Sequence, residues 1–259
     1  MIRFEHVTKR FGSRKVLDHL SFEIQKGETF VIIGRSGMGK SVTIKHMVRL
    51  LTPDSGKVWI GDDLVSEASG NELSRIRLRF GLLFQGAALL QWLTAGDNVG
   101  LPLRQRTNIP QDEIDRRAEE KLGLVELTDV FHKHPSDLSG GMQKRVGLAR
   151  AIITDPEIIL YDEPTSGLDP MTSRTIDALI DSLRVKLGVT SVVVTHDLHS
   201  ALSIGTRIAL LEQGKMVEIS TPEEFIRSKH PAVRDFLDAN FITKKPAWDH
   251  RDSGSEVKR

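Results

Sequence analysis

Apolar positions along the chain fall into two periods. The runs "ETFVIIG" (28–34), "EIILYDE" (157–163) and "SVVVTHD" (191–197) are short, nearly continuous and rich in β-branched residues. That is the pattern of parallel strands covered on both faces. "KVWI" (57–60) alternates as a strand, and "RFGLLFQ" (79–85) reads as another. "RIALLEQGKMVEI" (207–219) predicts a hairpin turning at Gln213-Gly214. Helical spacing replaces these runs elsewhere. "VTIKHMVRLL" (42–51) predicts one helix, and Ile114, Ala118, Leu122 and Val125 predict another, opened by Pro110 and two acids. Val146, Ala149, Ile152 and Ile153 share one face of a third. From about residue 87 to residue 154 no strand is evident, so a helical insertion is expected between two sheet-forming segments. The layout is α/β with a parallel core sheet and no internal repeat.

Composition narrows the function classes. The 259 residues suffice for one large domain or two small lobes. Lys plus Arg number 36 against 35 Asp plus Glu, a net charge of +1, which lacks the basic footprint of a nucleic-acid binder. The absence of cysteine excludes disulfides and Cys-ligated metal. The N-terminus "MIRFEHVTKRFG" lacks the apolar core of a signal peptide. No apolar run approaches the roughly 18–20 residues of a membrane span. Work at a membrane would therefore require another chain to do the spanning. Residues 221–242 predict a short helical appendage, interrupted at Pro231, that packs on the main domain of its own chain or a partner's. Residues 243–259 form a polar tail expected to be disordered.

The candidate chemistry begins with "GRSGMGKS": Gly34, Arg35, Ser36, Gly37, Met38, Gly39, Lys40 and Ser41, followed by Val42. It matches G-x-x-x-x-G-K-[ST] between a predicted strand and helix, the setting of a phosphate-binding P-loop. Its glycines let backbone N–H groups curl around phosphate oxygens. Lys40 would reach the β- and γ-phosphates, and Ser41 would offer its hydroxyl to Mg²⁺. Asp162 and Glu163 end an apolar strand. Asp162 suits Mg²⁺ through water, and Glu163 suits polarisation of an attacking water. His196 follows another core strand, where ligand crevices of α/β sheets form, and could reach the γ-phosphate. A buried Gln85 at the boundary of the insertion could touch Mg²⁺ or the attacking water. Taken singly, Asp162–Glu163, His196 and Gln85 also fit ordinary polar strand ends. Arg35 fits a place near phosphates or on the surface. "LSGGMQKR" (138–145) opens a helix on Ser139, Gly140 and Gly141, a second anion-facing helix start with no nucleotide loop of its own.

With these motifs in order, the chain resembles the ATP-binding-cassette (ABC) ATPases from about residue 1 to residue 220. The order is phosphate loop, Gln85, helical insertion, "LSGGM", "IILYDEP", "SGLD" (166–169) and His196. The resemblance implies a P-loop NTPase with a RecA-like core, an antiparallel β subdomain and an α-helical signature subdomain over about 87–154. It implies ATP hydrolysis with Mg²⁺. Phe11 would stack on adenine and Val16 would line the same pocket. Glu163, His196 and Gln85 would be catalytic, and Ser41, Gln85 and Asp162 would hold the metal. In this family two domains associate head to tail. Ser139, Gly140 and Gly141 would then cap a nucleotide held by the partner's loop, and Asp169 would meet that loop. Two departures are Met142, where Gln is usual, and Gly167, where Ala is common.

The resemblance extends to partners. It implies a homodimer on integral-membrane permease subunits, peripheral on the cytoplasmic face of the inner membrane. Leu89, Leu90, Trp92 and Leu93 look exposed beside Gln85 and would either line the permease groove or pack inside the helical lobe. Three features, "GRSGMGKSV", "LSGGM" and the segment "TPEEFIRSKHPAVRDFLDANF" (221–241), resemble the ATPases of MCE-linked phospholipid transporters of the Mla type. An MCE-type lipid-binding protein would join the complex. The alternatives are another cargo, such as amino acid import or lipoprotein export, and a soluble ABC ATPase without a transport role.

Overall fold

Every residue of β3 (Thr29–Ile33), β7 (Ile158–Asp162) and β8 (Thr190–Thr195) is buried, as their uninterrupted apolar runs require. The computed structural model of the chain describes residues 1–240. The three strands lie side by side within a six-stranded sheet of order β10-β9-β3-β8-β7-β6, with β6 (Phe80–Leu83), β9 (Arg207–Glu212) and β10 (Lys215–Ser220). All neighbours are parallel except β9 and β10. Those two form the expected hairpin. Gln213 (φ 48°) and Gly214 (φ 80°) both take positive φ, which matches the twist of a tight two-residue turn.

A second sheet, β2-β1-β4-β5, is wholly antiparallel: β1 (Ile2–Phe11), β2 (Arg14–Ile24), β4 (Ser55–Ile60) and β5 (Asp63–Leu64). Bulges at His6 (φ 49°) and His19 (φ 51°) shift the β1–β2 register. They also break the simple alternation of this ribbon. Phe4, Phe22 and Phe30 stack at 4.6 and 5.6 Å between centroids, pinning the small sheet to the large one.

The large sheet separates two cores. Phe30, Ile32, Val192 and Val194 face the small sheet, α1 (Lys40–Met47) and α2 (Gly70–Leu78). Val31, Ile33, Ile159 and Val193 face the other helices. These include α5 (Gly140–Ile152), α6 (Pro170–Leu187) and α7 (Leu198–Ile204). The insertion holds α3 (Ala95–Arg106), α4 (Gln111–Leu124), a 3₁₀ turn at Pro135–Asp137 and α5, with no strand. Buried Asn98 on α3 fastens the preceding loop. Its amide donates to the carbonyls of Leu90, Leu93 and Thr94, and its oxygen accepts from Leu90 N–H. That loop corrects one expectation. Leu89 is buried in the core and only Trp92 stands well exposed, at 73%.

Two short helices close the described chain, α8 (Pro222–Arg227) and α9 (Pro231–Ala239). Thr221 and Glu224 form a reciprocal cap at the start of α8, and a proline opens each helix. Phe225, Val233, Phe236 and Leu237 join the core on one face of the six-stranded sheet, whereas Ile226 remains at the surface. Phe241 and the tail expected at 243–259 lie outside the described residues.

One buried acid makes the fold sensitive to pH. Asp177 on α6 is 3% exposed and accepts from Ser200 Oγ of α7 at 2.8 Å. Burial, with Asp197 nearby, pushes its pKa from 3.8 up to about 6, while Arg174 pulls it down. A raised carboxyl pKa favours the protonated native form. The stability it contributes is complete below the unfolded value and is lost as pH rises through 6. Asp177→Asn removes that titration. In urea unfolding, the variant should gain on the wild type by roughly 2–3 kcal/mol between pH 4 and pH 8. A difference independent of pH would refute the buried-acid account.

Candidate nucleotide site

The phosphate loop leaves β3 at its carboxyl end and enters α1. Gly39 sits at φ 105°, and a Cβ there would meet Leu17 Cδ2 at 2.9 Å and Val16 O at 3.0 Å. The loop therefore passes too close to β2 for any side chain. Lys40 is 6% exposed, and its Nζ donates to the carbonyls of Gly34 at 2.8 Å and Arg35 at 3.3 Å. It also pairs with Glu163 Oε1 at 3.3 Å. Ser41 Oγ donates to Asp162 Oδ1 at 2.7 Å, joining the start of α1 to the end of β7.

Glu163 takes φ 49°, an uncommon conformation for a residue other than glycine and one that concentrates at functional sites. Its N–H donates to Val194 O at 2.9 Å. Its carboxylate lies between two partners, with Oε2 2.7 Å from His196 Nδ1 and Oε1 near Lys40. His196 is largely exposed while Glu163 is buried, so the imidazole forms the solvent side of the group.

Phe11, Val16, Ser36, Gly37, Gly39, Lys40, Ser41, Val42, Gln85, Glu163 and His196 line one cleft of about 360 Å³. Asp162 stands just below it through Ser41. Gln85 differs from expectation. It is exposed, not buried, and its Nε2 reaches Ser166 Oγ at 3.4 Å. Arg35 and Met38 are not among the residues that line the cleft; they line a separate small cavity with Ala232 and Phe236 of α9. The Arg35 carbonyl meets the cleft's Lys40, accepting from its Nζ.

Ser139, Gly140 and Gly141 do not line this cleft. Ser139 caps α5, its Oγ accepting from Met142 N–H at 3.3 Å, and Ser139 and Gly140 are exposed. Gly141 is buried so closely against Thr172 of α6 that a Cβ would meet Thr172 Cγ2 at 2.5 Å. Asp169 caps α6 and is also exposed. It accepts from the N–H groups of Met171 and Thr172 and from Thr172 Oγ1 at 2.6 Å. The Thr172 hydroxyl and N–H hold its pKa below the usual value.

Two residues escaped the sequence reading. Arg14 lines the cleft from β2 and donates to Gly37 O at 2.9 Å. Lys144 on α5 is 5% exposed and donates to the backbone carbonyls of Gln85 and Glu163. Burial lowers its pKa, and the nearby charges of Asp162 and Glu163 oppose that shift. Lys144 had a sequence signal, since it falls on the buried stripe of Gly141, Leu148 and Ala151. Arg14 had none in the charged stretch "KRFGSRK".

The donor set fits magnesium. Among the described residues there is no cluster of three His, Cys, Asp or Glu suited to a metal. A hydroxyl and one carboxylate, Ser41 and Asp162, are hard oxygen ligands of the kind Mg²⁺ combines with phosphate and water.

Comparison with known proteins places this geometry. The ABC transporter family matches residues 17–166. A probable ribonucleotide transport ATP-binding protein, mkl, of Mycobacterium leprae (strain TN) is 39% identical over 241 residues, which span 93% of this chain and 70% of the relative. Methionine import ATP-binding protein MetN 1 of Bacillus cereus (strain ATCC 14579) is 37% identical over 252 residues, 95% of this chain and 72% of the relative. Among solved structures, the dimeric ATP-binding cassette MJ0796 in a post-hydrolysis state bound to ADP and Pi superposes with a TM-score of 0.78. It is 37% identical and covers 86% of this chain and 99% of that one. The chain belongs to the ATP-binding family of ABC transporters and is an ATPase that binds ATP with Mg²⁺.

Proposed function

We propose that the chain energises transport through a membrane permease as a head-to-tail homodimer, with lipid as cargo. In each site Phe11 and Val16 receive the adenine. Lys40 and the N–H groups of the phosphate loop hold the phosphates. Ser41, Asp162 and Gln85 would hold Mg²⁺, which when bound screens charge on the phosphate oxygens. Glu163 polarises the attacking water, giving ADP and phosphate. His196 holds the Glu163 carboxylate in place and faces the γ-phosphate side.

The observation that carries the dimer is the signature helix. Its N-terminus presents bare N–H groups and a partial positive charge, features suited to an anion. Yet Ser139 and Gly140 are exposed and lie outside the cleft of their own chain. One chain holds one phosphate loop and one signature, so two chains together would complete two sites. Asp169 sits beside the signature through the Thr172–Gly141 contact, where a partner's loop would pass.

Among the described residues no helix is long and apolar enough to cross a membrane, so the permease is a separate requirement. A groove between the core and the helical lobe suits its coupling segment. Leu50, Leu82, Phe84, Leu101 and Pro102 line it, together with Arg77, Arg106 and Arg150. None of these three arginines has a carboxylate partner among the described residues. An amphipathic helix carrying an acid would fit apolar and charged parts together. The chain would then lie on the cytoplasmic face of the inner membrane. The lipid reading rests on Val42 after Ser41, Met142 in the signature and the 221–241 segment, and it brings in an MCE-type lipid-binding protein. A second reading, another cargo, is favoured by the relatives named for ribonucleotide transport and methionine import.

Glu163→Gln keeps shape and removes the negative charge. Steady-state ATPase should fall by roughly 10²–10⁴ while MgATP binding persists. Wild-type turnover in that variant would exclude the role. Ser139→Arg puts a bulky cation where the partner's γ-phosphate docks, and Lys40→Ala removes the loop's buried cation. A mixed dimer of the two has one doubly damaged site and one intact site. It should trap about one nucleotide per dimer under conditions where Ser139→Arg homodimers trap none. If those homodimers close on ATP like the wild type, the composite site is wrong. Cargo is tested by purifying a tagged chain from membranes and identifying co-purified proteins and lipids by mass spectrometry. Recovery of a permease with an MCE protein and phospholipid is expected, and recovery of a permease with an amino-acid-binding partner would overturn the lipid assignment.

A further inference from the structure

The β1–β2 turn brings a charge to the cleft that no motif marks. Phe11 and Arg14 are directly paired across this hairpin, with only Gly12 and Ser13 between them. Cross-strand partners project from the same face of a ribbon, and so do residues two apart on one strand. Phe11, Arg14 and Val16 therefore share one face, and all three line the nucleotide cleft. Arg14 stands between the aromatic platform and the phosphate loop, 2.9 Å from Gly37 O.

Its environment separates it from neighbouring cations. Lys9 pairs with Asp54 at 2.8 Å, and Lys15 pairs with Asp18 at 2.8 Å. Arg14 has no carboxylate partner among the described residues and uses one of its five N–H donors, on a neutral carbonyl. The only acid lining the cleft among the described residues, Glu163, is engaged by Lys40 and His196. A guanidinium fork with free donors, fixed beside a phosphate loop, is matched to phosphate oxygens.

We propose that Arg14 is a nucleotide-binding residue that contacts the phosphate chain of ATP from the side opposite Lys40. One of its N–H groups holds Gly37 and thereby the loop, and the remaining donors take phosphate oxygens next to the base. The hairpin thus reads base and phosphate together, Phe11 through stacking and Arg14 through charge. This rests on the assignment of the cleft to ATP.

Calorimetry on the purified full chain tests it with MgATP as the probe. Arg14→Ala should weaken binding about tenfold or more, as loss of a charge-assisted contact does. Arg14→Gln keeps a donor for Gly37 and removes the charge, so it should lose nearly as much. Arg14→Lys should recover part of the affinity. The dependence of affinity on salt should be shallower in the Ala and Gln variants. Because Arg14 is exposed, thermal unfolding without nucleotide should be unchanged. Wild-type affinity in Arg14→Ala overturns the proposal, and wild-type affinity in Arg14→Gln reduces Arg14 to a latch on Gly37, which also overturns it. Lys40→Ala is the control. If it loses MgATP while Arg14→Ala does not, only this inference fails, whereas unchanged binding in both would remove the ATP assignment of the cleft.

Discussion

Three adjacent parallel strands, β3, β7 and β8, have no solvent-facing side. An unpaired charge within them would be prohibitively costly to desolvate, so the polar chemistry collects where the strands stop. β3 stops just before Gly34, β7 at Asp162 and β8 just before His196. The phosphate loop, the Asp162–Glu163 pair and the histidine meet because their strands are neighbours in one register. The polar groups of the cleft depend on that end of the sheet.

At that end, Glu163 is the shared element. Its carboxylate spans from Lys40 to His196, its N–H is held by β8, and its own carbonyl accepts from Lys144. Lys144 belongs to the helix that begins at the signature and also holds the carbonyl of Gln85. A buried lysine on backbone carbonyls is thus a strut between the signature helix, the Gln85 loop and the end of β7. It links the signature helix to its own chain's Glu163, even though the N-terminus of that helix lies outside that chain's cleft. Communication between the site a chain holds and the site it would complete in a partner has a short covalent and hydrogen-bonded route.

The C-terminal helices reach the same machinery from the other side. α9 buries Val233, Phe236 and Leu237 in the main core and shares a small cavity with Arg35 and Met38 of the phosphate loop. The appendage is packed into the domain, and it borders the same small cavity as two residues of the loop.

Much of this was legible in the chain. The apolar runs of β3, β7 and β8 announce strands covered on both faces, and the spacing of Gly34, Gly39, Lys40 and Ser41 announces a phosphate loop. The Gln213-Gly214 turn and the helical insertion follow from local preference. These features depend on sequence-local physics, on what a strand or helix must bury and on which residues tolerate positive φ. Other features are decided by tertiary packing. Bulges at His6 and His19 break the alternation that would mark β1 and β2. Leu89 looks exposed until Asn98 draws its loop onto the core. Gln85 turns outward because the chain leaves β6 at the surface. Arg14 becomes part of the cleft only when a two-residue hairpin folds it beside Phe11 and over Gly37. These outcomes depend on specific contacts, some between residues far apart in the chain such as Arg14 and Gly37, and no periodicity or motif encodes such contacts.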